Sequence, residues 1–225
     1  LLTSQTITDY DDNGSIAIAP QIAEVNKSDE TRTDIINPGV TNNYSNTVSQ
    51  VKILGTIPCQ GNKYILSKKD LNSTYTTTMT NKGIIVPENL KNYVTVYYSY
   101  NIDVNQDSTD SSNGWTTTPD DWSKVRSYLI DFGGYSIPTN ETDTFSYEVV
   151  IPAGLNYNQI AYADHAVYYY LDTDQGKLLT QTEPNKVGIS ITEKYNLQIK
   201  KYTKNSNETF SGAVFKVKEV NDDID

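Results

Sequence analysis

The sequence predicts an all-β chain: an Ig-like antiparallel β-sandwich with one short helix, followed by the opening strands of a second β-sandwich. Three observations lead to this class. Apolar and aromatic residues alternate with polar ones at period two in many short runs. Turn residues separate the runs, as at Asn37-Pro38-Gly39, Gly61-Asn62 and Gly133-Gly134. The 225 residues include 18 Tyr and a single Met, a bias toward side chains that pack on a pleated surface.

Residues 1–14 read as a linker or the end of a preceding domain. Within them Asp9-Tyr10-Asp11-Asp12-Asn13-Gly14 begins like an EF-hand calcium loop, with oxygen ligands at alternate positions and Gly at the sixth. The twelfth position is Pro20, where such a loop needs a bidentate Glu. A polar turn entering a strand is therefore the reading kept, and no metal site or cofactor is expected.

Residues 15–193 read as the Ig-like sandwich. Ile16 and Ile18 alternate with small residues, and Val51, Ile53 and Ile57 alternate before Pro58. Val94, Val96, Tyr98 and Tyr100 follow, then Phe145, Tyr147, Val149 and Ile151, then Val167, Tyr169 and Leu171, then Val187, Ile189 and Ile191. Such alternation buries one face and solvates the other. The helix is expected after Thr118 as cap, with Pro119 at its first position and Asp120 and Asp121 at the positive end of its dipole. It should run two to three turns and anchor on a sandwich edge through Trp122. The polar, acidic stretch from Asp103 to Asn113 reads as a mobile surface loop that folding does not need.

A boundary is expected near Thr192 to Tyr195, leaving residues 194–225 as the truncated start of another domain. Here Leu197-Gln198-Ile199-Lys200-Lys201 opens a fresh alternation, and Phe210-Ser211-Gly212-Ala213-Val214-Phe215 follows a hairpin later. This tail resembles the start of a Cna B-type (SpaA-like) domain of Gram-positive pilins and adhesins. Thr47 to Pro58, an alternating strand running into a proline turn, is similar to a segment of Ig-like repeat modules in cell-wall-anchored surface proteins. The resemblance implies an extracellular, cell wall-attached protein whose partners are neighbouring domains of the same chain, with host matrix protein or glycan as further partners.

The formal charge of −10 disfavours nucleic acid, which needs a basic face. No apolar run is long enough to span a membrane. Cys59 is the lone cysteine, so no disulfide can be built within the chain. His165 is the lone histidine, and no nucleophile–base or metal-ligand spacing accompanies it. No catalytic residue is therefore expected.

Lys201 shares a strand face with Leu197 and Ile199, and a buried lysine amine is a neutral nucleophile. The resemblance gives it an isopeptide crosslink to an Asn or Asp beyond Asp225; the competing reading is a solvated strand lysine. A crosslink of Lys27 with Asn185, aided by Asp34 or Glu183, and a thioester of Cys59 with Gln181 are weaker ideas that no motif fixes. Trp115 and Trp122 are the candidate ligand contacts, and the Tyr97-Tyr98 and Tyr168-Tyr169-Tyr170 runs could stack on sugars. The expected function is a non-catalytic structural stalk or adhesin module. The alternative is a carbohydrate- or host-protein-binding module, including one accessory to a secreted polysaccharide-degrading enzyme.

Overall fold

The structure is a computed structural model and describes residues 1–10, 16–19, 21–173 and 176–193. Leu1–Glu193 form one compact unit. Residues 194–225, with Lys201 and the expected second domain, lie outside the described residues, as does the centre of the calcium-like turn at 11–15.

Among the described residues thirteen strands make two stacked sheets, and the all-β expectation holds. They are β1 Leu2–Tyr10, β2 Ile16–Ala19, β3 Ile22–Asn26, β4 Arg32–Thr41, β5 Ser49–Thr56, β6 Thr78–Ile85 and β7 Thr95–Ser99. After these come β8 Ser127–Asp131, β9 Thr142–Thr144, β10 Ser146–Ile151, β11 Ile160–Thr173, β12 Gly176–Thr182 and β13 Val187–Thr192. One sheet runs β2-β1-β4-β10-β6, with β9 also on β4. The other runs β3-β13-β11-β5-β8-β7, with β12 also on β11. The β13–β3 pair is parallel and the other described pairs are antiparallel.

The period-two runs place the core. Ile7, Ile36, Tyr147 and Val149 of the first sheet meet Val51, Ile53, Tyr128, Ile130, Val167 and Ile189 of the second, all fully buried. A second, smaller core lies on the outer face of the second sheet. There Leu54, Leu129, Ala166 and Tyr168 are roofed by Ile65 from the 57–77 connection and Val104 from the 100–126 connection.

Two expectations change. Residues 2–10, read as a linker or the end of a preceding domain, form β1, which pairs with β4 from Leu2↔Thr41 to Thr8↔Ile35. Its inward positions include Gln5, a polar residue that breaks the alternation a strand search looks for. The expected helix is a single 3-10 turn at Trp122–Lys124. Asp121 caps it by accepting from Ser123 N at 3.0 Å, and Val125 already has the extended backbone that leads into β8. The cap is Asp121 and not the expected Thr118, and β8 takes over after one turn.

Candidate functional site

Strand register builds a polar row across the outer face of the second sheet. Gln181, Tyr168, Lys52, Asp131 and Thr95 stand opposite one another on β12, β11, β5, β8 and β7. Directly opposed residues share a face. Lys52 Nζ lies 3.1 Å from Asp131 Oδ2 and donates to Gln106 O at 3.2 Å. Asp131 Oδ1 accepts from Gly133 N at 2.9 Å. Tyr170 lies two residues along from Tyr168, hence on the same face, and pairs with the half-exposed Leu179. Between them β5 carries a bulge, because Tyr168 pairs with Lys52 but Tyr170 with Ser49. The extra residue is Gln50, at φ +52°. Left-handed backbone costs a glutamine on the order of 1 kcal/mol. Gln50, Lys52, Asp131, Tyr168, Tyr170 and Leu179, with Gln106 and Asp107, line an open groove of 440 Å³.

The 103–113 segment walls this groove. Buried Asn113 accepts from Asn105 N at 2.9 Å and donates to Asn105 Oδ1 at 3.0 Å and Asp107 O at 2.9 Å. Trp115 Nε1 donates to Asp107 O at 3.2 Å, and its ring packs on the outer core. The segment read as a free loop is a hydrogen-bonded wall, fastened from the sheet by Lys52.

Asp164 sits under the 57–77 connection. Its Oδ2 accepts from Ile65 N at 2.8 Å, and Glu183 Oε1 accepts from Leu66 N at 2.9 Å. Burial first, then the hydrogen bond with Glu183, holds the Asp164 carboxyl well above the ordinary carboxylate range. Lys186 Nζ lies 3.5 Å from the Tyr162 ring centroid and donates to Leu71 O at 3.2 Å. Burial lowers its pKa. Asp164 has no exposed surface and Glu183 is partly exposed, and each accepts from the backbone of the connection above it.

His165, the next residue, faces the opposite way into the sandwich. Its Nε2 is 2.7 Å from Thr3 Oγ1 on β1. Burial lowers its pKa to about 3, so the ring is neutral. Cys59 is a free, buried thiol pushed up to about 11 by burial. Gln181, its suggested thioester partner, is exposed on β12. Among the described residues no group of three or more His, Cys, Asp or Glu is placed to hold a metal, and no helix is long and apolar enough to cross a membrane.

Of the candidate contacts, Trp115 braces the groove wall. Trp122 is half-buried, edge-on to Tyr98 at 4.8 Å between centroids and close over Gly83. Lys27 Nζ stands 5.1 Å from the Tyr157 ring centroid, and Asn185 lines a separate recess with Tyr64 and Lys186. Sequence reading named Tyr168 and Tyr170 but passed over Gln50, Lys52 and Asp131. Their signal was position: Lys52 is the polar step between Val51 and Ile53.

No family model matches the chain, and no curated protein matches it. Among solved structures it is similar to the full-length major pilin SpaD of Corynebacterium diphtheriae, at TM-score 0.38 and 9% identity over 83% of this chain and 35% of that one. It is also similar to a putative membrane-anchored protein of the same organism, at TM-score 0.38 and 14% identity over 86% of this chain and 36% of that one. A variant of the major pilin subunit of Bacillus cereus gives TM-score 0.31 and 8% identity over 85% of this chain and 40% of that one. This chain thus spans well under two thirds of the length of those proteins, and the likeness is a loose one of architecture.

Proposed function

We propose that residues 1–193 are a non-catalytic structural module of an extracellular, cell wall-attached surface protein, carrying tensile load between neighbouring parts of the same chain. One observation supports this most. β1 begins where Leu1 N lies 3.3 Å from Tyr169 Oη, and β13 ends past its Ile160↔Ser190 pairing. Tyr169 and Ile160 are nine residues apart on β11, about 30 Å of extended strand. The chain therefore joins and leaves the sandwich at opposite poles. Tension along that axis pulls β1 lengthwise against β4 and β13 lengthwise against β11. Sheared strands load many hydrogen bonds at once, whereas peeled strands load them singly.

Two further features fit this reading. Two of the buried titratable groups, Asp164 and His165, are engaged in holding a loop and joining sheets. The following residues resemble a Cna B-type opening, in which Lys201 is the proposed crosslinking lysine. A chain extended by a further domain should lose one ammonia or one water in intact mass, and Lys201→Ala should abolish the loss.

The geometry is tested by pulsed dipolar spectroscopy with spin labels at Leu2 and Glu193, both exposed. A separation of about 30 Å or more is expected, and one under about 15 Å would remove the end-to-end axis.

A further inference from the structure

From the groove on the outer face of the second sheet, we propose a binding site for a neutral saccharide, one to two sugar rings long. This goes beyond the load-bearing role and does not depend on it. The volume, 440 Å³, falls within the range of small-ligand pockets, about 300–1,000 Å³. Its aromatic surface is Tyr170, with the edge of the largely buried Tyr168 beside it, and a pyranose has an apolar C–H face that packs on such a ring. Around that surface stand groups that pair with hydroxyls: Gln50 and Gln106 as donors and acceptors, Asp131 as acceptor and Lys52 as donor.

Charge selects among ligands. Lys52 is already paired with Asp131, and Asp107 adds a negative charge at the wall. An anionic sugar or phosphate would meet no uncompensated cation there. A neutral ring, by contrast, can bridge the ion pair with adjacent hydroxyls. A peptide would need main-chain partners or a deep side-chain slot, and the groove is open and lined by side chains.

The bulge supplies a separate argument. A regular β5 would carry no extra residue between Lys52 and Ser49. Bulges next to binding sites re-aim side chains. Here the bulged residue is a glutamine held in left-handed backbone, beside Tyr170, at the rim of the groove. A glycine would adopt that backbone with less strain. The glutamine side chain is therefore the feature that the strained conformation retains.

The folded protein is probed on an array of neutral, sialylated and sulfated oligosaccharides, and retained neutral glycans are titrated by calorimetry. At least one neutral glycan should bind, and acidic forms of the same core should bind no better. Gln50→Gly is the decisive variant, because it relieves backbone strain and should leave the melting temperature unchanged or raised. It should weaken binding about tenfold, the effect of losing roughly one hydrogen bond of 1.4 kcal/mol. Tyr170→Ala should abolish binding, and Tyr170→Phe should retain most of it. Lys27→Ala, far from the groove, should have no effect. No retained neutral glycan, retention of acidic glycans only, or affinity unchanged in both Gln50→Gly and Tyr170→Ala would overturn the proposal.

Discussion

Thr3 Oγ1 and His165 Nε2 lie 2.7 Å apart and tie β1 to β11 across the sandwich. Thr3 has one hydroxyl proton, and it is given to Gly39 O at 3.1 Å. With the hydroxyl proton on Gly39 O, the imidazole donates to Thr3 through Nε2–H. Thr3→Val keeps the shape but leaves that N–H buried without an acceptor. A loss of about 1–3 kcal/mol is expected in urea denaturation. A change within about 0.5 kcal/mol, the scale of ordinary surface substitutions, would mean the bond is not formed.

Asp164 and His165 give opposite pH dependences. The native Asp164 carboxyl titrates near 8, whereas an unfolded aspartate titrates near 3.9. Between those values the native state binds the extra proton, so this contribution to stability falls as pH rises from about 4 to about 8. Native His165 titrates near 3 against about 6.5 unfolded, so its contribution is full above 6.5 and is lost as pH falls toward 3. Between pH 6.5 and 4 the two slopes cancel. Urea titrations of wild type and Asp164→Asn at pH 5, 6.5 and 8 isolate the first. The wild type should gain on the variant as pH falls, and a constant difference would rule out a protonated Asp164.

Gly55 is opposite both His165 and Tyr128 in register, and the Tyr128 ring lies over it. A Cβ there would come within 2.3 Å of the ring's Cζ and hydroxyl oxygen. Tyr128 is fully buried and packs against Tyr147. Gly55→Ala should therefore cost about 1–3 kcal/mol by overpacking, although alanine suits strands no worse than glycine. An unchanged denaturation midpoint would show that Tyr128 packs elsewhere.

Asn113 serves the groove wall as Asn62 and Asn42 serve other connections. Asn62 donates to Ile57 O at 3.2 Å and Tyr162 O at 2.6 Å, and Asn42 donates to Ile137 O at 2.8 Å. Asn113→Ala should cost about 1–3 kcal/mol by leaving Asn105 N unpaired and removing one of the donors to Asp107 O. It should also raise hydrogen exchange across residues 103–113. Exchange rates equal to wild type would return this segment to the status of a dispensable loop.

These asparagines also show where sequence reading stopped. Val51 and Ile53, Tyr147 and Val149, and Val187 and Ile189 were legible as inward pairs because burial on one face demands period two. Asn62 and Asn113 read as turn residues, which they are, but their burial depends on backbone from distant strands that spacing does not reveal. β1 was read as a linker or the end of a preceding domain because Thr3 and Gln5 occupy inward positions where an apolar residue is expected. The Trp122 helix failed for want of length: one capped turn cannot compete with the strand pairing of β8. In the groove the aromatic surface was visible as a Tyr run. Its polar rim was not, because Lys52, Asp131 and Gln50 come together only through register and a bulge.

The load-bearing reading is tested most directly by single-molecule pulling along two axes. Attachment at residues 1 and 193 shears β1 against β4 and β13 against β11. Attachment at residues 1 and 178 joins two points near the Tyr169 pole, since Leu178 pairs with Leu171, and pulls across the strands. The first axis should unfold the sandwich at clearly higher force than the second, and Thr3→Val should lower the force on the first axis. Equal forces on both axes, or a weaker response to the end-to-end pull, would contradict a module built to carry tension.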